Sequence, residues 1–407
     1  MKILFYNHTG KVSGAERLLL MILAKLDRNN FDPIMVCPEQ GPLAKTVRDQ
    51  GVSVETVGTL EARFTWRADL LARYCNSFFQ VIRQVRRSVI RIQPDLIHAN
   101  SIRAGLVATA ATFRLETQVV WHLHDMLPRH PLSTLIRTFA CISSRTRMIA
   151  VSEAVACNFL GRFSGLMMNR VNVILNAIDL QKFEPDQTAR KEVRRELQLG
   201  VDEPIIGIVG QLTPRKGQLE LMRAFAQTLN EIPQAVLLVV GAPLFNRDHE
   251  YKELLRQTAS KLGIQHRVRM VGARSDVAAI MQGLDLLVIN SSVEPFGLVA
   301  LEAMACGTPV LAAAVDGIPE IIEHDKNGWM VPPRDERMLK EAIVHLSRRP
   351  ILRARLAAHG KQHVAAHFSA GRYISELQTF YHANGDLKSE TLAAESPSRQ
   401  TETAKFA

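Results

Sequence analysis

The thirty residues from Ser291 to Glu320, SSVEPFGLVALEAMACGTPVLAAAVDGIPE, constrain the chain more than any other stretch. An apolar run, Leu286-Leu287-Val288-Ile289, leads into them and reads as a buried strand. Pro295 and Gly297 break the chain in a tight loop. From Leu298 the apolar spacing turns helical, through Leu301 and Met304, until Gly307 stops it, and a second apolar strand follows at 309–313. Glu294 falls where the first strand ends, and Glu302 about one turn into the helix. Between them lie the backbone N–H groups of a helix N-terminus, a natural seat for a phosphate. A carboxylate accepts two hydrogen bonds and so suits paired hydroxyls on a ribose or sugar ring. Either glutamate alone reads more simply as a solvated residue on a βαβ turn. The full string argues for an anion seat with a sugar clamp beside it.

The string resembles the donor-site signature of the retaining GT-B glycosyltransferases, the group that includes glycogen synthase, sucrose synthase and the phosphatidylinositol mannosyltransferases. Glu294 and Glu302 match the E-x7-E pair of that family. Pro295, Phe296, Gly297 and Leu298 match its donor loop, and the resemblance continues through 303–310 and 317–320. It implies an α/β fold of GT-B type, two facing Rossmann-like domains with the active site in the cleft between them. It also implies a nucleotide diphosphate sugar as co-substrate rather than a resident cofactor.

Elsewhere the chain alternates short apolar strands with helical patterns, which argues for open parallel sheets. Strands are expected at 2–6, 33–37, 52–57, 95–99, 118–122, 148–152 and 171–175, then at 205–209, 236–241, 268–271, 286–289, 309–313 and 328–331. Helices are expected near 16–26, 69–92, 153–160 and 370–382. The charged, proline-flanked segment 180–203 reads as a linker carrying one amphipathic helix. The expected division is an N-terminal acceptor domain over 1–184, a donor domain over 200–367, a helix at 368–384 crossing back to the first domain, and a disordered tail at 385–407.

Other motifs fall at strand ends. The loop NHTGKVSGAE follows the first strand, and Gly10 and Gly14 bracket it. It is neither a dinucleotide fingerprint nor a Walker loop, and an ordinary strand-to-helix loop explains it equally well. The resemblance places a glycine loop there, against the donor diphosphate, with Gly14 at the matching position. In GQLTPRKG, Lys216 precedes a helix and points with its neighbouring N–H groups at one anion. The family's arginine after the first glycine is replaced here by Gln211, which cannot neutralise a phosphate; Arg215, four positions on, is the candidate substitute. His124-Asp125 matches a family His-Asp pair that faces the cleft, so the resemblance gives His124 a contact with the donor sugar. Strand alternation is expected to turn His122 away from the cleft. Ser152 and Asn176 match family positions that read as structural.

The implied reaction is transfer of a sugar to an acceptor hydroxyl with retention at the anomeric carbon. Glu294, His124 and Lys216 are the expected catalytic residues. Gly14, Arg215, Lys216, Pro295, Phe296, Gly297, Leu298 and Glu302 are the expected donor-binding residues. There is no D-x-D sequence, so no metal is expected. A nucleotide-sugar epimerase on the same fold, or a catalytically silent nucleotide-sugar-binding protein, remains an alternative. A pyridoxal-dependent phosphorylase lacks a cofactor-lysine motif.

Charge bears on the partner. The 407 residues carry a formal net charge of +10. Residues 1–182 hold 23 Lys and Arg against 13 Asp and Glu, and the remainder holds 27 of each, so the excess lies wholly in the N-terminal half. A basic face there suits an anionic or lipid-linked acceptor or an anionic membrane surface. No nucleic-acid motif accompanies it, and no nucleic-acid partner is expected. Residues 63–91 interleave Arg63, Arg67, Arg83, Arg86, Arg87 and Arg91 with Phe64 and Trp66. A solvated helix face explains the arginines; the sharper expectation is a peripheral membrane contact. Five scattered cysteines suggest a reducing compartment. The chain opens on a strand, and no apolar run is long enough to span a bilayer, so a cytoplasmic protein is expected, with a peripheral place on the inner membrane face.

Overall fold

The computed structural model describes residues 1–60, 68–200, 203–243 and 246–385. Arg63, Phe64, Trp66 and Arg67 of the expected membrane contact, and the tail expected to be disordered beyond 385, lie outside the described residues.

Two parallel sheets organise the chain. The first contains β1 (Lys2–Tyr6), β2 (Asp32–Pro38), β3 (Ser53–Val57), β4 (Leu96–Ala99), β5 (Gln118–Leu123), β6 (Thr146–Ala150) and β7 (Val171–Val173), in the order β3-β2-β1-β4-β5-β6-β7. The second contains β8 (Ile205–Val209), β9 (Val236–Val240), β10 (Val268–Gly272), β11 (Leu286–Ile289), β12 (Val310–Ala313) and β13 (Trp329–Val331), in the order β10-β9-β8-β11-β12-β13. Each is a doubly wound sheet whose order reverses at its first strand, between β1 and β4 and between β8 and β11. Ligands of such sheets bind outside the carboxyl ends of the strands at that reversal. β9, β11 and β12 are continuous apolar runs because helices cover both faces; every residue of these strands and of β5 is buried. This is the α/β GT-B architecture.

The charged segment expected to be a linker contributes the helix Gln187–Glu196 to the second unit. Arg190 and Arg194 reach Asp285 at 2.7 and 3.2 Å, just before β11. The chain returns to the first unit at Ile178, whose N–H donates to the Phe368 carbonyl at 3.1 Å, while Ala370 N–H donates back to Ile178 at 3.1 Å. From there the helix Ala370–Gly385 buries Tyr373, Leu377 and Tyr381 in the core that also holds Ile3, Phe5 and Leu19.

Candidate active site

The second unit supplies one wall. After β8 a short 3₁₀ turn, Pro214–Lys216, carries Lys216 to the N-terminus of the helix Gln218–Thr228. Hydrogen bonds tie this turn to the segment after β11: Ser292 N–H donates to the Arg215 carbonyl at 2.8 Å, and Asn290 Nδ2 to the Gly217 carbonyl at 3.1 Å. Gly217 has φ +71°, and a Cβ there would lie 2.0 Å from the Asn290 carbonyl oxygen, so only glycine lets the two loops close. The result is a contact the sequence did not show. Lys216 Nζ lies 2.6 Å from Glu294 Oε2, with both side chains largely buried. Ser291 Oγ donates to the same oxygen at 2.8 Å. The backbone of Glu294 is held too, its N–H donating to Asp316 Oδ2 at 2.9 Å and its carbonyl accepting from Gly317 N–H at 3.1 Å.

The helix Leu298–Ala305 starts at Gly297, whose φ of +112° excludes side-chain-bearing residues without strain. Its first N–H groups have no intrahelical partner. Glu302 follows one turn in and is only 8 % exposed. Burial pushes its carboxyl up to about 7, against the pull of Arg17 and Lys216.

The first unit supplies the other wall. The helix Gly14–Lys25 begins at Gly14, capped by reciprocal bonds between Ser13 and Glu16. A Cβ on Gly14 would sit 3.5 Å from Leu298 Cδ1, so the glycine loop lies over the start of the Leu298–Ala305 helix. One turn on, Arg17 Nη1 approaches Glu302 Oε1 at 3.8 Å from a mostly exposed position. Ser152 Oγ donates to the Pro295 carbonyl at 2.6 Å, and the Glu320 carboxylate accepts from the N–H groups of Glu153 and Ala154 at 2.8 and 2.9 Å. Ser152, expected to be structural, thus fastens one unit to the Pro295 loop of the other. Phe296 is buried and packs against Phe368 with ring centroids 6.0 Å apart.

His124 lies just past β5, and its Nε2 is 3.0 Å from Asn100 Oδ1. Burial lowers its pKa to about 3, so the ring is neutral near pH 7. The expectation for His122 is corrected. Its ring centroid is 3.9 Å from that of His124, so the two share a face. Side chains at i and i+2 of a strand point the same way; the expectation had the parity reversed. Arg215 Nη1 donates to the Val293 carbonyl at 3.4 Å. Lys216 and Glu294 come together directly, and Glu302 and Gly14 meet the opposite unit. Sequence reasoning missed Arg17, Ser291 and Asp316. Arg17 sits in the string GAER beside Gly14, but only the fold brings it across to Glu302.

Known proteins resemble both units of the chain. The family model described as Glycosyl transferases group 1 matches residues 189–363, and that described as Glycosyltransferase Family 4 matches 12–182. The D-inositol 3-phosphate glycosyltransferase of Actinosynnema mirum is 30% identical over 330 residues, which span 76% of this chain and 78% of that one. The crystal structure of Anabaena Alr3699/HepE in complex with UDP-glucose has a TM-score of 0.80 at 28% identity, covering 97% of this chain and all of the other. The sucrose-phosphate synthase of Thermosynechococcus elongatus, at 22% identity and a TM-score of 0.77 over 97% of this chain and 100% of its own, shares the fold. The chain therefore belongs to the group 1 glycosyltransferases of family 4, GT-B enzymes that transfer a sugar from a nucleotide sugar.

Proposed function

We propose that the cleft transfers a hexose from a uridine diphosphate sugar to an acceptor hydroxyl with retention of anomeric configuration. The observation that carries this reading is the Lys216–Glu294 pair at 2.6 Å beside the N-terminus of the donor helix, with Glu302 one turn further. A uridine donor is favoured by the UDP-glucose complex of Alr3699/HepE. In the proposed site the N–H groups of Leu298 and Val299 and the Lys216 ammonium receive the diphosphate, and Glu302 takes the ribose hydroxyls. The sugar then lies between Glu294 and His124. The bond from the anomeric carbon to the diphosphate oxygen breaks, and the acceptor oxygen forms its bond on the same face. The acceptor proton passes to the departing phosphate oxygen. Glu294 positions the sugar and stabilises positive charge at the reacting carbon; Lys216 stabilises the leaving diphosphate. Arg17, which approaches Glu302 from the opposite wall, is the proposed second cation in place of the arginine that Gln211 replaces. The deciding experiment is a thermal-shift screen of nucleotides and UDP-sugars, followed by product analysis. Ligand at 100 times its dissociation constant raises stability by roughly 2.7 kcal/mol. Isomerised donor without transfer would identify an epimerase, and binding without turnover a silent protein.

The cations available for the diphosphate lead to an expectation of metal independence. Transfer should persist in excess chelator at an unchanged rate. Abolition by chelator, reversed by magnesium or manganese, would overturn this.

The acceptor is proposed to be anionic or lipid-linked, reached from an anionic membrane surface. Among the described residues no helix is long and apolar enough to cross a membrane. The helix Ala68–Ile92 exposes Phe79, Arg83, Arg87 and Ile90, while Val81, Val85 and Val89 are buried. Arg86, grouped with the membrane arginines on sequence, instead donates to the carbonyls of Ala111 and Phe113 at 2.8 and 2.9 Å. Flotation with anionic liposomes should recover the protein at low salt and lose it at high salt, where the Debye length shrinks to about 3 Å at 1 M. Equal recovery on neutral vesicles, insensitive to salt, would remove the electrostatic argument.

A further inference from the structure

Three residues just past adjacent strands of the first sheet form a line of side-chain bonds leading to His124. Asn7 follows β1, Asn100 follows β4 and His124 follows β5, and these strands are neighbours. Asn7 Nδ2 donates to the Thr9 carbonyl at 2.6 Å and to Glu16 Oε1 at 3.3 Å. Asn100 Nδ2 donates to Asn7 Oδ1 at 3.1 Å, and Asn100 Oδ1 lies 3.0 Å from His124 Nε2. Both asparagines are fully buried.

The direction of every bond in this line is forced from one end. A backbone carbonyl can only accept, so the Asn7 atom facing Thr9 must be the amide nitrogen. Its oxygen then faces Asn100, which must answer with its own NH₂ group. That leaves the Asn100 oxygen for His124, and an oxygen there can be satisfied only by an N–H. The imidazole is neutral, so with the proton on Nε2 its other nitrogen carries a bare lone pair.

We propose that Asn7 and Asn100 are positioning residues that hold His124 as its Nε2–H tautomer, leaving Nδ1 to accept a hydrogen bond from a hydroxyl of the bound sugar. The clause on the sugar rests on the function proposed above; the tautomer does not. A neutral acceptor suits this place. A carbon losing a diphosphate gains positive charge, which an imidazolium would oppose. Glu16 links the same line to the glycine loop, since it also accepts from Ser13 N–H at 3.0 Å at the start of the Gly14–Lys25 helix. One set of bonds therefore orients both the histidine and the loop that meets the donor helix.

The test is the long-range ¹H–¹⁵N spectrum of the unliganded full-length protein carrying ¹⁵N-histidine. The His124 ring signals are assigned among the 13 histidines by their absence in His124→Gln. The wild type should show a protonated-type Nε2 and a bare-type Nδ1. Asn100→Leu should introduce an Nδ1–H population and lower kcat with a productive UDP-sugar by roughly tenfold, the worth of one hydrogen bond. Asn100→Asp loses the amide that answers Asn7 but keeps an oxygen against Nε2, so His124 should stay protonated at Nε2. An Nδ1–H tautomer in the wild type overturns the proposal without any variant, and so does an unchanged tautomer in Asn100→Leu. If the spectra are as expected but no nucleotide sugar is turned over, the proposed function fails and the tautomer assignment stands.

Discussion

Glu294→Gln is expected to lower the transfer rate by about 10²–10³ while the affinity for bare uridine diphosphate holds steady or rises. The reason lies in what the carboxylate touches. Its Oε2 receives the Lys216 ammonium at 2.6 Å and the Ser291 hydroxyl at 2.8 Å. Glutamine keeps the shape and one acceptor oxygen but removes the charge. Lys216 then meets the incoming diphosphate without a competing anion, so binding of the bare nucleotide does not suffer. The reacting carbon fares differently, because it gains positive charge only as the diphosphate leaves. A carboxylate held at both its side chain and its backbone acts on that charge without reorganising, and an interaction realised only in the transition state appears in kcat. Folding should cost about 1–3 kcal/mol, since Lys216 is left partly buried without its charged partner. Calorimetry with the nucleotide, kinetics with the full donor and a melting curve measure all three. Nucleotide affinity that collapses along with the rate, or a normal rate, would sink the assignment.

The parts of the molecule that were legible in the sequence are those decided by local pattern. Strands buried on both faces are continuous apolar runs, so Leu286–Ile289 and Val236–Val240 stand out without any knowledge of their neighbours. The donor loop was legible because Gly297 and the two glutamates fall within a few residues of one turn. What was not legible depends on partners distant along the chain. Arg190 and Arg194 look like solvated charge until Asp285 is brought to them across 95 and 91 residues. Arg86 looks like its neighbours on the basic helix until the carbonyls of Ala111 and Phe113 are seen beneath it. The approach of Arg17 to Glu302 needs both units in place, and no periodicity encodes it. His122 differs in kind: it stands two residues from His124, so local alternation alone puts the two rings on one face.

Removing Glu302 should act on binding rather than on rate, and its effect should depend on pH. Glu302→Ala is expected to weaken bare uridine diphosphate by about 1.5–3 kcal/mol, the range for hydrogen bonds to a charged group. The ionised carboxylate can accept from both ribose hydroxyls, and protonation gives up that capacity. Burial holds the folded-state pKa near about 7, so wild-type affinity should be full above that value and fall as pH drops through it. Nucleotide binding near neutrality should also release a proton, visible as a dependence of the calorimetric heat on the buffer. The stability of the unliganded protein should run the other way. An unfolded glutamate titrates at about 4.3, so the folded state holds this proton over a window in which the unfolded chain has lost it. Its contribution to stability is complete below the unfolded pKa and is lost as pH rises through about 7. The terminal phosphate of the ligand itself titrates near about 6, so the decisive comparison is with Glu302→Gln, which keeps the ligand's titration and removes the protein's. The two proteins should diverge in affinity above pH 7 and converge below it. Identical pH profiles would show that Glu302 does not hold the ribose.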